Sequence, residues 1–252
     1  MRFLCSNDDG ILAAGLDVLV RAAAPLGDVS VVAPDREQSG TSHALTLHRP
    51  LRPTQVAPER FQIDGTPTDC VMLAIEALMP QRPDWVLSGI NHGQNMGEDV
   101  LYSGTVAAAM EGLVLGVPAI AVSFAGGPMR SEPELLEQHL APLTKLLAHL
   151  TSLALPRPIL FNVNLPPVFD SEIRGIKLTR LGRRRFSDSI RPTTDPWGRP
   201  LYWIGAGTME WSGSPDADYR AIQDGYISVT PLHLDLTHGE MMDDAESWWR
   251  TP

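Results

Sequence analysis

Short apolar runs alternate with helix-length segments over the first two thirds of the chain, and this alternation most narrows what it can fold into. Parallel strands need a crossover of about a dozen residues or more between them, usually a helix. Residues 2–6 read as a strand, Asn7-Asp8-Asp9-Gly10 as its turn, residues 16–24 as a helix, and residues 29–33 as the next strand, ended by Pro34. The pattern continues with a helix over 70–78, a strand over 85–87, an Ala-rich helix over 106–115 and a buried strand over 119–123. An amphipathic helix over 134–150 and a strand over 159–163 follow, before Pro166-Pro167 breaks the rhythm. The expectation is an α/β protein with a mostly parallel sheet.

Two segments depart from that rhythm. Residues 41–63 look like extended, hairpin-type structure. From Phe169 onward Trp197, Tyr202, Trp203 and Trp211 lie among Gly and Pro with little helical periodicity, which reads as accessory β structure suited to a subunit contact, a lid or edge coverage. The division expected is a core over 1–166 and an accessory segment over 167–252 that completes the same domain.

With 252 residues, 43% of them hydrophobic, the chain can build one large core, and disorder is a poor reading. A net charge of −10 repels long polyanions and argues against bulk nucleic-acid binding. The basic run Arg183-Arg184-Arg185 is read as a solvated loop in preference to a phosphate-binding patch. Cys5 and Cys70 are too few for a disulfide framework or a structural zinc site and sit in apolar stretches, which suits the cytosol. The first residues lack a secretory pattern, and no stretch approaches the roughly 18 consecutive apolar residues of a membrane span. A soluble, cytoplasmic protein is expected, with no membrane partner.

Ligands of parallel sheets bind beyond the carboxyl ends of the strands, so the residues after each strand are read as a set. Four such loops are rich in oxygen-bearing side chains: 7–10, 34–40, Ser88-Gly89-Ile90-Asn91-His92-Gly93, and Tyr102-Ser103-Gly104-Thr105. Asp8 and Asp9 place two carboxylates side by side, a costly arrangement unless a cation or proton intervenes. Ser39 and Asn91 add neutral oxygens, and an all-oxygen set suits magnesium, manganese or calcium better than zinc or copper. Alone, an Asp-Asp-Gly sequence is ordinarily just a turn.

Ser103-Gly104-Thr105 opens the Ala-rich helix, whose N-terminal N–H groups suit an anion; plain N-capping by Ser103 accounts for the same residues without a ligand. A phosphate about 5 Å from two carboxylates would be repelled by several kcal/mol per charge pair at an effective dielectric of about 20. A divalent cation between them reverses that sign, so a phosphate site here implies metal dependence.

Ser6-Asn7-Asp8-Asp9-Gly10, Gln38-Ser39-Gly40, Gly65-Thr66-Pro67-Thr68-Asp69-Cys70-Val71, Ser88 to Gly93, Tyr102 to Thr105, and Asp224-Gly225-Tyr226-Ile227-Ser228-Val229-Thr230-Pro231-Leu232 together resemble the SurE family of survival-protein nucleotidases. The resemblance is strongest over the first half and returns near the C-terminus. It implies a Rossmann-like three-layer α/β/α sandwich and metal-dependent phosphatase activity on nucleoside monophosphates, and leaves open whether 3′-nucleotides and short polyphosphate are cleaved as well. It also implies one divalent ion, Mg2+ or Mn2+, held by Asp8, Asp9, Ser39 and Asn91, and phosphate contacts from Asn95, Ser103, Gly104 and Thr105. Asp8 and Asp9 would be the catalytic pair, acting as ligands and not as nucleophiles. A homodimer or homotetramer assembled through the C-terminal β segment is implied as well. Ala13-Ala14 departs from the family's usual Ala-Pro, which concerns loop stiffness and not the ligand set.

Gly65-Thr66-Pro67 reads as a structural turn into a helix, with Asp69 favourable near its N-terminus. His92 could donate a proton to a leaving group or simply hydrogen-bond within its loop, and is not counted as catalytic. A phospho-aspartate mechanism would want Asp-x-Asp and a helper lysine, but the chain's lysines, Lys145 and Lys177, lie outside the candidate loops. Neither a Gly-x-Gly-x-x-Gly fingerprint after the first strand nor a Walker-type loop is present. The alternative from another class is a nonenzymatic sensor that binds nucleotide and metal in the same pocket without turnover.

Overall fold

The computed structural model describes residues 1–126, 133–168, 172–187, 190–205, 207–239 and 241–242. In chain order its elements are β1 (Arg2–Ser6), α1 (Ala14–Ala23), β2 (Asp28–Pro34), β3 (Pro53–Ala57), β4 (Arg60–Ile63), α2 (Pro67–Leu73), β5 (Trp85–His92), α3 (Gly104–Val114), β6 (Ala119–Phe124), α4 (Pro133–Gln138), α5 (Leu140–Thr151), β7 (Leu160–Leu165), β8 (Ile176–Leu178), β9 (Arg183–Ser187), β10 (Ile190–Thr194), β11 (Pro200–Ile204), β12 (Thr208–Ser212), α6 (Asp218–Gln223) and β13 (Ile227–Leu232).

Nine strands form one sheet in the order β3-β4-β2-β1-β5-β6-β7-β13-β8. Pairing is parallel except at β3–β4 and at β7–β13. The alternation of side chains along each strand divides the core in two. Phe3 and Cys5 of β1 face α1 and α5, whereas Leu4 between them faces α2 and α3. On α5, Leu143, Leu146, Leu147 and Leu150 are buried at helical spacing, which gives that helix one apolar stripe against the sheet. Helices therefore cover both faces, as a three-layer α/β/α sandwich requires.

Helix α2 begins earlier than residue 70. Thr66 caps it, its hydroxyl accepting from the Asp69 N–H at 3.1 Å while Asp69 Oδ2 accepts from the Thr66 N–H at 2.8 Å, and Pro67 fills the first turn. The helix expected over 134–150 is two helices, interrupted at His139. That residue is fully buried, and its Nε2 lies 3.0 Å from the Pro166 carbonyl oxygen, a group that can only accept, so the ring nitrogen donates.

Beyond residue 166 the chain is not accessory β structure alone. Strands β8 and β13 complete the main sheet, and the six-residue α6 packs against β13. The remaining strands make two separate antiparallel pairs, β10–β11 and β9–β12. Among the described residues no helix is long and apolar enough to cross a membrane.

The chain passes from β1 to β2 on one side, then returns to place β5 on the other side of β1. This reversal leaves a crevice at the carboxyl ends of β1 and β5, where open α/β sheets take their ligands.

Candidate active site

At that crevice lies a cleft of about 510 Å³, within the range of small-molecule sites. The turn after β1 is held by Asn7, which is fully buried. Its Nδ2 donates to the Gly10 carbonyl at 2.9 Å and its Oδ1 accepts from the Gly10 N–H at 3.2 Å. The next residue, Asp8, is 3% exposed and lines the cleft.

Asp8 packs directly on the first turn of α3. A Cβ on Gly104 would lie 2.8 Å from Asp8 Cβ and 2.9 Å from Asp8 Oδ2, so only glycine permits this approach. The Thr105 hydroxyl donates to Asp8 Oδ1. Burial pushes the Asp8 carboxyl up to about 6; the hydrogen bond from the Thr105 hydroxyl opposes that rise, and the charge of Asp9 adds to it. Asp9 Oδ2 accepts from the His92 N–H at 3.2 Å. Burial raises the Asp9 carboxyl too, against the favourable charge and N–H of His92.

The Gln38 N–H donates to the Asp8 carbonyl at 2.7 Å, which ties the loop after β2 to the loop after β1 and carries Ser39 to the cleft. Ser39 is exposed, and its hydroxyl donates to Glu37 Oε1 at 2.9 Å. Asn91 and His92 come from the end of β5, which extends five residues past the expected 85–87. Asn91 Nδ2 donates to the Gly93 carbonyl at 2.8 Å, so the amide oxygen is the end of the side chain left for a ligand.

Asn95 is held from three sides. Its N–H donates to Asn164 Oδ1 at 2.9 Å, and its carbonyl accepts from Asn162 Nδ2 at 2.8 Å and Asn164 Nδ2 at 3.0 Å. Its side-chain Nδ2 donates to Ser123 Oγ at 2.8 Å. An amide NH2 carries two N–H groups, so one bond to Ser123 leaves the second N–H for an anion. Ser103 lines the cleft and caps α3, its Oγ accepting from the Val106 N–H at 3.0 Å.

Of the expected site residues, Asp8, Ser39, Asn91, Asn95 and Ser103 thus line one cleft. Asp9 joins through His92, and Gly104 lies against Asp8. Thr105 is different: it is fully buried and its hydroxyl is taken by Asp8, so the side chain orients a carboxylate and does not face the cleft.

Arg184 corrects the reading of residues 183–185 as a solvated loop. These residues lie on β9, and the Arg184 side chain, 16% exposed, pairs with Asp99 and lines the same cleft. Asp99, Asn162 and Asn164 also belong to the site, although none is among the residues expected there. For the two asparagines a signal existed: Phe161-Asn162-Val163-Asn164-Leu165 puts amides at alternate positions of a strand expected to be buried, and buried amides demand partners.

A doubly wound α/β protein with two adjacent carboxylates at its switch point, packed against a helix N-terminus, is the class that fold and cleft define. The chain belongs to the SurE family, whose model, described as survival protein SurE, matches residues 3–188. It is 66% identical to a 5'-nucleotidase SurE of Gemmatimonas aurantiaca across the full length of both chains. It is 46% identical to a 5'-nucleotidase SurE of Methylococcus capsulatus, over 98% of this chain and 97% of the relative. The crystal structure of the SurE protein from Aquifex aeolicus superposes with a TM-score of 0.84 at 39% identity, covering 98% of this chain and 99% of that one.

Proposed function

We propose that the protein is a 5'-nucleotidase, a phosphomonoesterase that hydrolyses nucleoside monophosphates with one divalent cation, Mg2+ or Mn2+. The names of its full-length relatives support the reaction. The observation that carries the proposal is the contact of Asp8 with the first turn of α3, which brings the proposed metal ligands and the proposed phosphate contacts to one cleft.

The donor set fits a hard cation: two carboxylates, a hydroxyl, and an amide oxygen whose nitrogen is already engaged. Among the described residues no group of three or more His, Cys, Asp or Glu is arranged to hold a metal, so a site here draws on neutral oxygens as well. Asp8, Asp9, Ser39 and Asn91 are the proposed ligands. A bound cation supplies the charge that polarises the phosphoryl oxygens and makes water a better nucleophile.

The chain's own residues do the rest. Thr105 holds the Asp8 carboxylate in one orientation. Asn95, Ser103 and the N-terminus of α3 orient the phosphate, with the helix end favouring its charge. Asp8 and Asp9 act as ligands, because no lysine reaches the cleft to support a phospho-aspartate route.

The proposed setting is the cytoplasm, consistent with two free, buried cysteines. The proposed assembly is a homodimer or homotetramer through the C-terminal β segment, where Tyr202, Trp203 and Ile204 of β11 are 66%, 67% and 85% exposed. Light scattering of the purified full chain checks the assembly, and a monomer would remove it.

The test of function is phosphate release from adenosine monophosphate with manganese, with chelator, and with Asp8→Asn. Metal-dependent release that falls about a thousandfold or more in the variant is expected, since removal of one of these carboxylates leaves the cation site incomplete. No release from any phosphomonoester would sink the enzyme reading. Nucleotide-dependent thermal stabilisation without turnover would point to a sensor instead.

A further inference from the structure

Part of the cleft wall is not accounted for by metal or phosphate. Asp99 and Arg184 line it, their side chains 12% and 16% exposed and paired with each other. The Arg184 N–H also donates to Glu98 Oε2 at 2.5 Å. A guanidinium neutralised by its own carboxylate has little net pull on a second phosphate. A guanidinium donor and a carboxylate acceptor held side by side on one wall suit groups that both donate and accept. Ribose hydroxyls and the polar edge of a nucleobase are such groups. The Tyr102 ring, 61% exposed, and Met209 add apolar surface to the same wall.

Asp99 and Arg184 come from chain segments far apart in sequence, the turn at Gly97–Leu101 and β9. A third residue joins them. Asp218, at the start of α6, is fully buried; its Oδ2 accepts from the Gly97 N–H at 2.9 Å, and its Oδ1 from the N–H groups of Gly182 at 2.9 Å and Tyr219 at 2.8 Å. The backbones meet here more closely than side chains would allow. A Cβ on Gly97 would lie 2.8 Å from the Gly182 carbonyl oxygen, and one on Gly182 would lie 2.7 Å from the Tyr219 ring and 3.0 Å from Asp218 Oδ1. The Trp211 ring stacks on Tyr219, with centroids 5.4 Å apart, and closes the junction.

We propose that Asp99 and Arg184 receive the uncharged nucleoside portion of the substrate, and that Asp218 is the positioning residue that sets the distance between them. This rests on the nucleotidase reading above and adds the part of the substrate that the phosphate site does not hold. Asp218 touches no substrate; it acts through Gly97 and Gly182.

The experiment compares kcat/KM for adenosine monophosphate and for phenyl phosphate in the wild type, Arg184→Gln and Asp218→Asn, with thermal unfolding as the check on folding. The ratio of the two values is expected to fall about tenfold in each variant, mainly through a higher KM for the nucleotide, as the loss of one or two polar contacts would give. An unchanged ratio in a folded variant overturns the proposal, because general damage lowers both substrates alike. If Asp218→Asn fails to fold, Arg184→Gln decides alone. Calorimetric binding of adenosine gives a readout free of turnover: affinity about tenfold weaker in the variants supports the proposal, and affinity unchanged, or absent in the wild type, overturns it. A wild type that binds adenosine through Arg184 yet releases phosphate from no ester sinks the nucleotidase reading and leaves this one standing.

Discussion

Strands β1, β6 and β7 are buried along almost their whole length, whereas β10 and β11 are exposed at every position. The first group is packed by helices on both faces, and its loop ends are fixed to within a hydrogen bond. The second is a two-stranded ribbon joined by its own ladder, which on its own contributes little stability. The proposed chemistry sits on the first group, and a cation site of the kind proposed tolerates little movement. A third kind of region lies between them: β9, β12 and α6 are outside the central parallel strands, yet through Asp218 they place Arg184 beside residues of the switch point.

The largest test of this contrast is Leu147→Ala on α5. The side chain is fully buried against the sheet, and its truncation is expected to cost about 2–5 kcal/mol in denaturant unfolding. A second test uses pH. In chelator-treated protein the buried Asp8 holds its proton up to about pH 6, while the unfolded chain releases it near 3.8. Between those values the native state binds the extra proton, so stability falls as pH rises and then levels off above about 6. The Asp8 contribution lost is about 3 kcal/mol, and Asp8→Asn should remove that part of the slope while the part owed to Asp9, also raised by burial, stays. A variant as pH-sensitive as the wild type would show that Asp8 is not the group responsible.

Gly104→Ala comes next. The added methyl meets Asp8, so the carboxylate must shift, and kcat/KM for adenosine monophosphate is expected to fall about a hundredfold. The smallest effect belongs to the ribbon. Trp203→Ala, at a side chain 67% exposed, should change the stability of the isolated chain by less than about 0.5 kcal/mol. A loss above about 1 kcal/mol would mean that the ribbon is packed after all, and the contrast between the two regions would collapse.

The parts legible in the sequence share one property: their signal is local. Phe3-Leu4-Cys5 and Ala119 to Val122 announce strands because both faces are apolar, and Ser103 announces a helix end by its cap. Asp8, Ser39 and Asn91 could be set together because strand ends converge in any parallel sheet. What was illegible depends on contacts between distant segments. Ser88 and Asn91 look like loop residues, but β5 carries them on because β1 and β6 pair on either side. Thr105 looks like a ligand-facing hydroxyl, and only the packing of α3 on Asp8 turns it inward. Arg184 reads as one of three solvated arginines until Asp99, 85 residues earlier in the chain, is placed beside it. Helix α6 is too short to show a period, so nothing flagged Asp218.

Strand β13 enters the sheet between β7 and β8, antiparallel to β7. Among the described residues it is the last strand, and every residue lining the cleft precedes it, so synthesis makes the cleft's residues before the partner of β7. Until then Asn162 and Asn164, which grip Asn95, belong to an unpaired sheet edge. The order of translation thus presents a nascent chain that carries every residue of the cleft while β7, the strand that grips Asn95, still lacks its second neighbour.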